Sequence, residues 1–162
     1  MTMQINIGDH TSSQAGYIAF PSKHRPAIRW ARTKAQWITR NLPAADTYFK
    51  GLPNGRTLTE LLADSSIWVN FHPTMPHFGE TNQVGGKEIA ISITSLRIGR
   101  WTVLGTLIHE LAHSNGAPID DALGNPSPLA ERALLACGLG KQSELTSGID
   151  DPSTPYDPTI RR

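Results

Sequence analysis

The feature that most constrains this chain is a pair of histidines four residues apart inside an apolar run. Residues 107–113 read Leu-Ile-His-Glu-Leu-Ala-His. On a helix, residues four apart lie on the same face, one turn above the other. Two imidazoles in that position can offer nitrogen ligands to one Zn²⁺, and Glu110 beside them can accept a proton from water. The spacing therefore predicts a metal-binding helix with a built-in base.

The residues around His109 and His113 have the period of a helix with one apolar side. The apolar side, predicted to face a core, consists of Leu104, Leu107, Ile108 and Leu111. The histidine side carries small residues, namely Thr102, Gly105 and Thr106, which would leave room for a metal, water and substrate. Gly116 is a typical residue just after a helix and Pro118 prevents continuation. We predict a helix over residues 101–115.

The length and composition indicate one ordinary domain and exclude several classes of partner. A chain of 162 residues can bury a substantial core, and we treat 1–162 as a single domain with irregular flanks at 1–22 and 146–162. The net charge is only +1 and the basic residues are spread out, which gives no indication of nucleic-acid binding. No apolar run is long enough to span a membrane, and the N-terminus lacks the pattern of a signal peptide.

The order of predicted elements is helices, then strands, then helices. Helical patterns cover residues 26–41 and 44–50, and Thr57 begins a third as part of a capping box. Alternating patterns over 66–72 and 87–94 predict two strands. The loop between them, residues 74–86, has no period and is long enough to suggest a function. The prediction is an α+β fold, with a small, mostly antiparallel or mixed sheet packed on the histidine helix.

Two histidines are an incomplete catalytic zinc site, because such sites usually have three protein ligands and a water. Our first choice for the third ligand is Glu131, in the first turn of a helix predicted over 128–139. Asp120 and Asp121, which closely follow His113, are the alternatives, since a turn could bring either carboxylate back. His72 and His77 are further candidates, for the metal or for a donor to a developing oxyanion, and Tyr156 is a candidate for such a donor.

Residues 106–113 resemble the active-site helix of the zincin metallopeptidases, and the strand predicted before it resembles their substrate-pairing edge strand. A glutamate on the next helix is similar to the glutamate-zincin subgroup. This resemblance implies a zincin-like fold, zinc ligands His109, His113 and Glu131, and Glu110 as the general base. The other large subgroup places its third ligand at a position that is Ile119 in this chain.

The motif, followed by Glu131 and a nearby Cys137-Gly, also resembles small peptidase toxins at the ends of bacterial secretion-system spike and Rhs-type effector proteins. That resemblance implies a secreted effector, delivered to a target cell and acting in its periplasm. It further implies a protein or peptide substrate and a cognate immunity protein. The alternatives are an amidase of cell-wall peptides, a binding module stabilised by structural zinc, and a metal-free helical interaction domain.

Overall fold

A computed structural model of the protein describes residues 1–120, 122–124 and 127–140. The predictions for Asp121, for Tyr156 and for the flank at 146–162 lie outside these residues. Within the described chain, no helix is both long and apolar enough to cross a bilayer, in agreement with the sequence.

The described chain is an α+β fold with six α-helices and an open, mixed four-stranded sheet. A 3-10 turn at Ser22–His24 precedes the first helix. The elements in chain order are β1 (Gln4–Ile5), α1 (Arg25–Asn41), α2 (Pro43–Lys50), α3 (Leu58–Leu62), β2 (Trp68–His72), β3 (Gly79–Thr81), β4 (Glu88–Ser92), α4 (Ile93–Ile98), α5 (Arg100–Ser114) and α6 (Leu129–Ala136). The coarse fold class predicted from the sequence is confirmed.

The histidine helix, α5, lies at the centre of the fold and matches its predicted limits to within one residue. Every residue from Thr102 to Ser114 is buried, because α1 and α6 pack on the helix along with the sheet and α4. The helix ends at Ser114, and Gly116 has a φ of +92°, a conformation that favours glycine. A helix buried on all sides carries both histidines and Glu110 into the interior.

The strand predicted over residues 87–94 is confirmed as β4, but its predicted position at the sheet edge is wrong. β4 lies between β2, which runs parallel to it, and β3, which runs antiparallel. Ala90 and Ser92, the small residues that alternate with the isoleucines of β4, are both fully buried. The strand stops at Ser92 because its side chain accepts a hydrogen bond from Ser95 N–H and caps α4. Among the described residues, the sheet edge near α5 is formed instead by β3.

Two strands come from segments without a recognisable pattern. β3 lies in the loop at 74–86, and β1 lies in the flank at 1–22, where Gln4 and Ile5 pair with β2 in parallel. Ile18 adds an isolated bridge to Phe71 of β2. Strands of two and three residues are too short for alternation to be detected, so their partners determine them.

Asn115 connects the end of α5 to the turn that follows α2 through side-chain hydrogen bonds. Its side-chain amide donates to the carbonyl oxygens of Phe49 and Arg56, each at 2.8 Å, and its side-chain oxygen accepts from Arg56 N–H at 3.1 Å. Gly116 packs on the same turn, since a methyl group there would lie 3.0 Å from Pro53 Cβ. The end of the histidine helix is therefore fixed by contacts far apart in sequence.

We expect Asn115→Ala to lower the free energy of unfolding by about 3 kcal/mol, because it removes three side-chain hydrogen bonds, two of them to the main-chain N–H and carbonyl oxygen of Arg56. Asn41→Ala is the matched control, since Asn41 is exposed and donates to Trp37 alone. We expect the control to cost about 0.5 kcal/mol or less. Urea denaturation of both variants measures the difference, and equal losses would contradict this role for Asn115.

Candidate metal centre

The two motif histidines face each other through their Nε2 atoms, which lie 3.2 Å apart. The rings are inclined at 75° and their centroids are 4.9 Å apart. Both side chains are buried, His109 with 2% and His113 with 4% of its surface exposed. Because the rings come from adjacent turns of one well-packed helix, their relative position is set by the backbone.

The distance between the two Nε2 atoms fits a single zinc ion. Two nitrogens bound at about 2.0–2.1 Å to a tetrahedral ion lie about 3.3 Å apart, which is close to the observed separation. The residues present therefore suit zinc by the chemistry and spacing of their donor atoms. His109 and His113 would supply two of its ligands.

The outer nitrogen of each ring faces an oxygen that can accept a proton. Nδ1 of His113 lies 2.8 Å from the carbonyl oxygen of Ala117, and since a carbonyl only accepts, this nitrogen carries the hydrogen. Nδ1 of His109 lies 3.0 Å from Oε1 of Glu131. Such oxygen partners are typical of metal-binding histidines, because they direct the lone pair of Nε2 toward the metal. With its hydrogen on Nδ1, His113 has a lone pair on Nε2 that can bind a metal ion or accept a hydrogen bond from Nε2 of His109.

Glu131 reaches the histidines from the first turn of α6, as the sequence predicted, but its close contact is with Nδ1 of His109. The carboxylate is nine-tenths buried. The contact is not aligned as a hydrogen bond, so Oε1 has no hydrogen-bond partner in the part of the chain that the structure describes. A buried carboxylate oxygen without a hydrogen bond is suited to binding a cation. Over the same residues, no group of three His, Cys, Asp or Glu side chains forms a complete metal cage.

Glu110 is held beside the histidine pair by a residue that the sequence analysis missed. The hydroxyl of Thr81, on β3, lies 2.7 Å from Oε2 of Glu110 and 3.1 Å from its main-chain oxygen. The other carboxylate oxygen, Oε1, lies 4.0 Å from Nε2 of His109. The Glu110 carboxylate is thus directed toward Nε2 of His109, the ring nitrogen that faces His113. Thr81 belongs to a strand too short to be detected in the sequence, which is why it was not predicted.

Small residues on the histidine side of α5 allow β3 to approach the helix. A methyl group on Gly79 would overlap Cγ2 of Thr106 and would come within 3.2 Å of Cγ of Glu110. The Thr106 hydroxyl itself donates to the carbonyl of Thr102 at 2.7 Å. At Thr106, the space that the sequence suggested for metal and substrate is filled by the sheet.

A cavity of about 330 Å³ opens over the histidine pair. Its floor is formed by side chains of α5 and one wall by β3. The residues that line it are His77, Phe78, Gly79, Glu80, Thr81, Gln83, Val84, His109, Glu110, His113 and Ile119. The cavity volume is in the range of small-ligand pockets, and the three motif side chains are among the residues that line it.

The other site residues predicted from the sequence lie in different environments. His77 lines the cavity and its side chain is 62% exposed. His72 is outside the lining, and its Nδ1 accepts hydrogen bonds from the N–H groups of Thr74 and Met75, which is a structural role. Asp120 is exposed and also outside the lining. Of the two alternatives to Glu131, only Asp120 is described, and the structure does not bring it to the histidines.

Comparison of this chain with models of protein families, with curated proteins and with solved structures finds no match. Its function is therefore inferred from the arrangement of His109, Glu110 and His113 and from the cavity above them. These side chains combine two imidazole donors with one carboxylate base, a set suited to activating water.

We expect Gly79→Ala to destabilise the protein by about 1–3 kcal/mol, because the added methyl group forces β3 away from α5. Gly140→Ala is the matched control, since its nearest neighbour would lie at an ordinary contact distance of 3.7 Å. Thermal unfolding of both variants measures the effect. A Gly79→Ala protein as stable as the control would contradict the close approach of β3 to the helix.

Proposed function

We propose that the protein is a zinc-dependent metallopeptidase that hydrolyses peptide bonds with Glu110 as the general base. His109 and His113 bind the ion through Nε2, and Glu131 is the third protein ligand. The observation that carries the proposal is the 3.2 Å separation of two buried Nε2 atoms at the floor of an open cavity. On the basis of the sequence resemblance, we further propose that the protein is a bacterial effector domain.

Glu131 can supply a ligand because its carboxylate is close to the pair and has an oxygen without a hydrogen bond in the described chain. Its present contact is with Nδ1 of His109, so ligation requires the carboxylate to rotate toward Nε2. Asp120, in contrast, is exposed and outside the cavity lining. Glu131 is therefore preferred over Asp120.

In the proposed reaction, Glu110 moves the protons. When bound in such a site, Zn²⁺ polarises a carbonyl oxygen and makes water more acidic. Glu110 accepts a proton from the attacking water at the oxygen nearer to His109, and then donates it to the leaving amine nitrogen as the C–N bond breaks. The Thr81 hydroxyl holds the other oxygen of Glu110, so the carboxylate is oriented before substrate arrives.

The edge of the sheet offers a place for the substrate backbone. Within the described residues β3 pairs only with β4, through Gly79, Glu80 and Thr81, so its outer edge has backbone groups available. An extended peptide can add to such an edge as one more strand. A peptide added to β3 would pass over Glu110, because Thr81 and Gly79 of this strand contact that side chain.

The cavity favours an enzyme over a module with structural zinc. A structural site is closed by four protein ligands, whereas a catalytic site leaves one position open. His109 and His113 both line the cavity, which leaves their shared side accessible to water and substrate.

We expect Glu110→Gln to retain zinc and to lower peptide hydrolysis by about 10²–10⁴-fold, the usual contribution of a general base. Glutamine keeps the size of the side chain and can still accept from Thr81, so the fold is preserved. Glu60→Gln, at an exposed position on α3, is the matched control. Activity on a quenched-fluorescence peptide library and zinc content are measured together. Hydrolysis at the wild-type rate in Glu110→Gln would refute the role of base.

We expect Glu131→Ala to weaken zinc binding at least 10-fold, because a ligand or its orienting partner is lost. Asp120→Ala should bind zinc as the wild-type protein does. Competition with a chelator of known affinity gives both dissociation constants. If Asp120→Ala releases the metal while Glu131→Ala retains it, the choice of Glu131 is wrong.

A further inference from the structure

Glu80 is the central residue of β3, and its side chain lies on the face of the sheet away from α5. Successive side chains of a strand point to opposite faces, and the neighbours Gly79 and Thr81 both contact the helix. Glu80 instead receives a hydrogen bond from the hydroxyl of Tyr17, at 2.8 Å from its Oε1. The Glu80 side chain remains 44% exposed and the residue lines the cavity. The proposed chemistry uses neither Glu80 nor Tyr17.

Tyr17 holds this carboxylate in a fixed position. The tyrosine is 4% exposed and belongs to a small buried cluster with Met75 and Ala90. Burial raises the pKa of Tyr17, and the hydrogen bond and charge of Glu80 raise the pKa further. The hydroxyl therefore keeps its proton and stays a donor to Glu80.

The surroundings of Glu80 suit a cationic side chain. The lining of the cavity, as far as the chain is described, includes no Lys or Arg. His77 lies 3.8 Å from Oε2 of Glu80 and is charged only when protonated. A half-exposed carboxylate held by a hydrogen bond can accept charge-assisted hydrogen bonds from the charged end of arginine or lysine.

We infer that Glu80 selects peptide substrates that carry arginine or lysine at the residue paired opposite it on β3. This inference rests on the proposed function, since it assumes that a peptide adds to the edge strand. Side chains directly opposite each other on paired strands have Cβ atoms about 4.5–5.5 Å apart, within reach of an ion pair. The neighbouring peptide residues point toward α5, so the preference is confined to one position and does not extend to the residues beside it.

The test uses peptides that differ only in charge, with arginine or citrulline placed in turn at each position around the cleaved bond. We expect kcat/KM to be about threefold to fivefold higher for arginine at one position, the effect of a favourable cross-strand charge pair. Glu80→Gln should bring this ratio to about one, and Tyr17→Phe should lower it by releasing the carboxylate. Glu60→Gln, which removes a distant exposed charge, should leave the ratio as in the wild-type protein.

A second arm measures binding of the same labelled peptides by fluorescence anisotropy to Glu110→Gln and to Glu80→Gln/Glu110→Gln. A preference for arginine that disappears with Glu80→Gln supports the inference, whether or not the wild-type protein cleaves the peptides. Absence of cleavage combined with this preference would refute the peptidase and leave the recognition site. Equal binding of both peptides, or no binding of either, would overturn the inference, and cleavage without preference would leave the peptidase intact.

Discussion

The site depends on the burial of polar side chains that belong to α5, a helix with other elements packed around it. His109, Glu110 and His113 are each at most 4% exposed, and buried polar groups are stable only when their atoms have partners. Their contacts come from three directions: Ala117 beyond the end of α5 and Thr81 from β3 form hydrogen bonds, and Glu131 from α6 lies within ion-pair distance of His109. The Nε2 atoms of His109 and His113 lie 3.2 Å apart, and a cation bound to both would stabilise this arrangement. Contacts from three parts of the fold therefore meet at this histidine pair and Glu110.

β3 connects the packing of the domain to its proposed use. Gly79 lets the strand lie against α5, Thr81 orients Glu110, and Glu80 points to the opposite face, where Tyr17 holds it. Gly85, just after β3, also donates its N–H to the carbonyl of His113 at 2.8 Å. Under the proposed function, three consecutive residues would have separate roles: close packing, orientation of the base and recognition of charge. A substrate strand added at this edge would meet all three.

The sequence predicted those helices and strands whose hydrophobic pattern extends over enough residues to be recognised. The helical period around His109 and the alternation around Ile89 located α5 and β4, and the motif spacing identified the imidazole pair. Glu131 was predicted near the histidines because two helices joined by a loop rich in glycine and proline can pack antiparallel. Which ring nitrogen it meets depends on side-chain rotation, which spacing does not determine. The roles of Thr81 and Tyr17 depend on contacts 29 and 63 residues away in the chain, to Glu110 and Glu80, and no local pattern reveals them.

The most direct test is a crystal structure of the protein grown with zinc, with anomalous data collected on both sides of the zinc absorption edge. The account predicts one anomalous peak between the two imidazoles, about 2.0–2.1 Å from Nε2 of His109 and of His113. The peak should adjoin the cavity, with a carboxylate as a further protein ligand and one position open to solvent. A site without anomalous signal, or an ion bound elsewhere while the two rings remain in direct contact, would contradict the central claim.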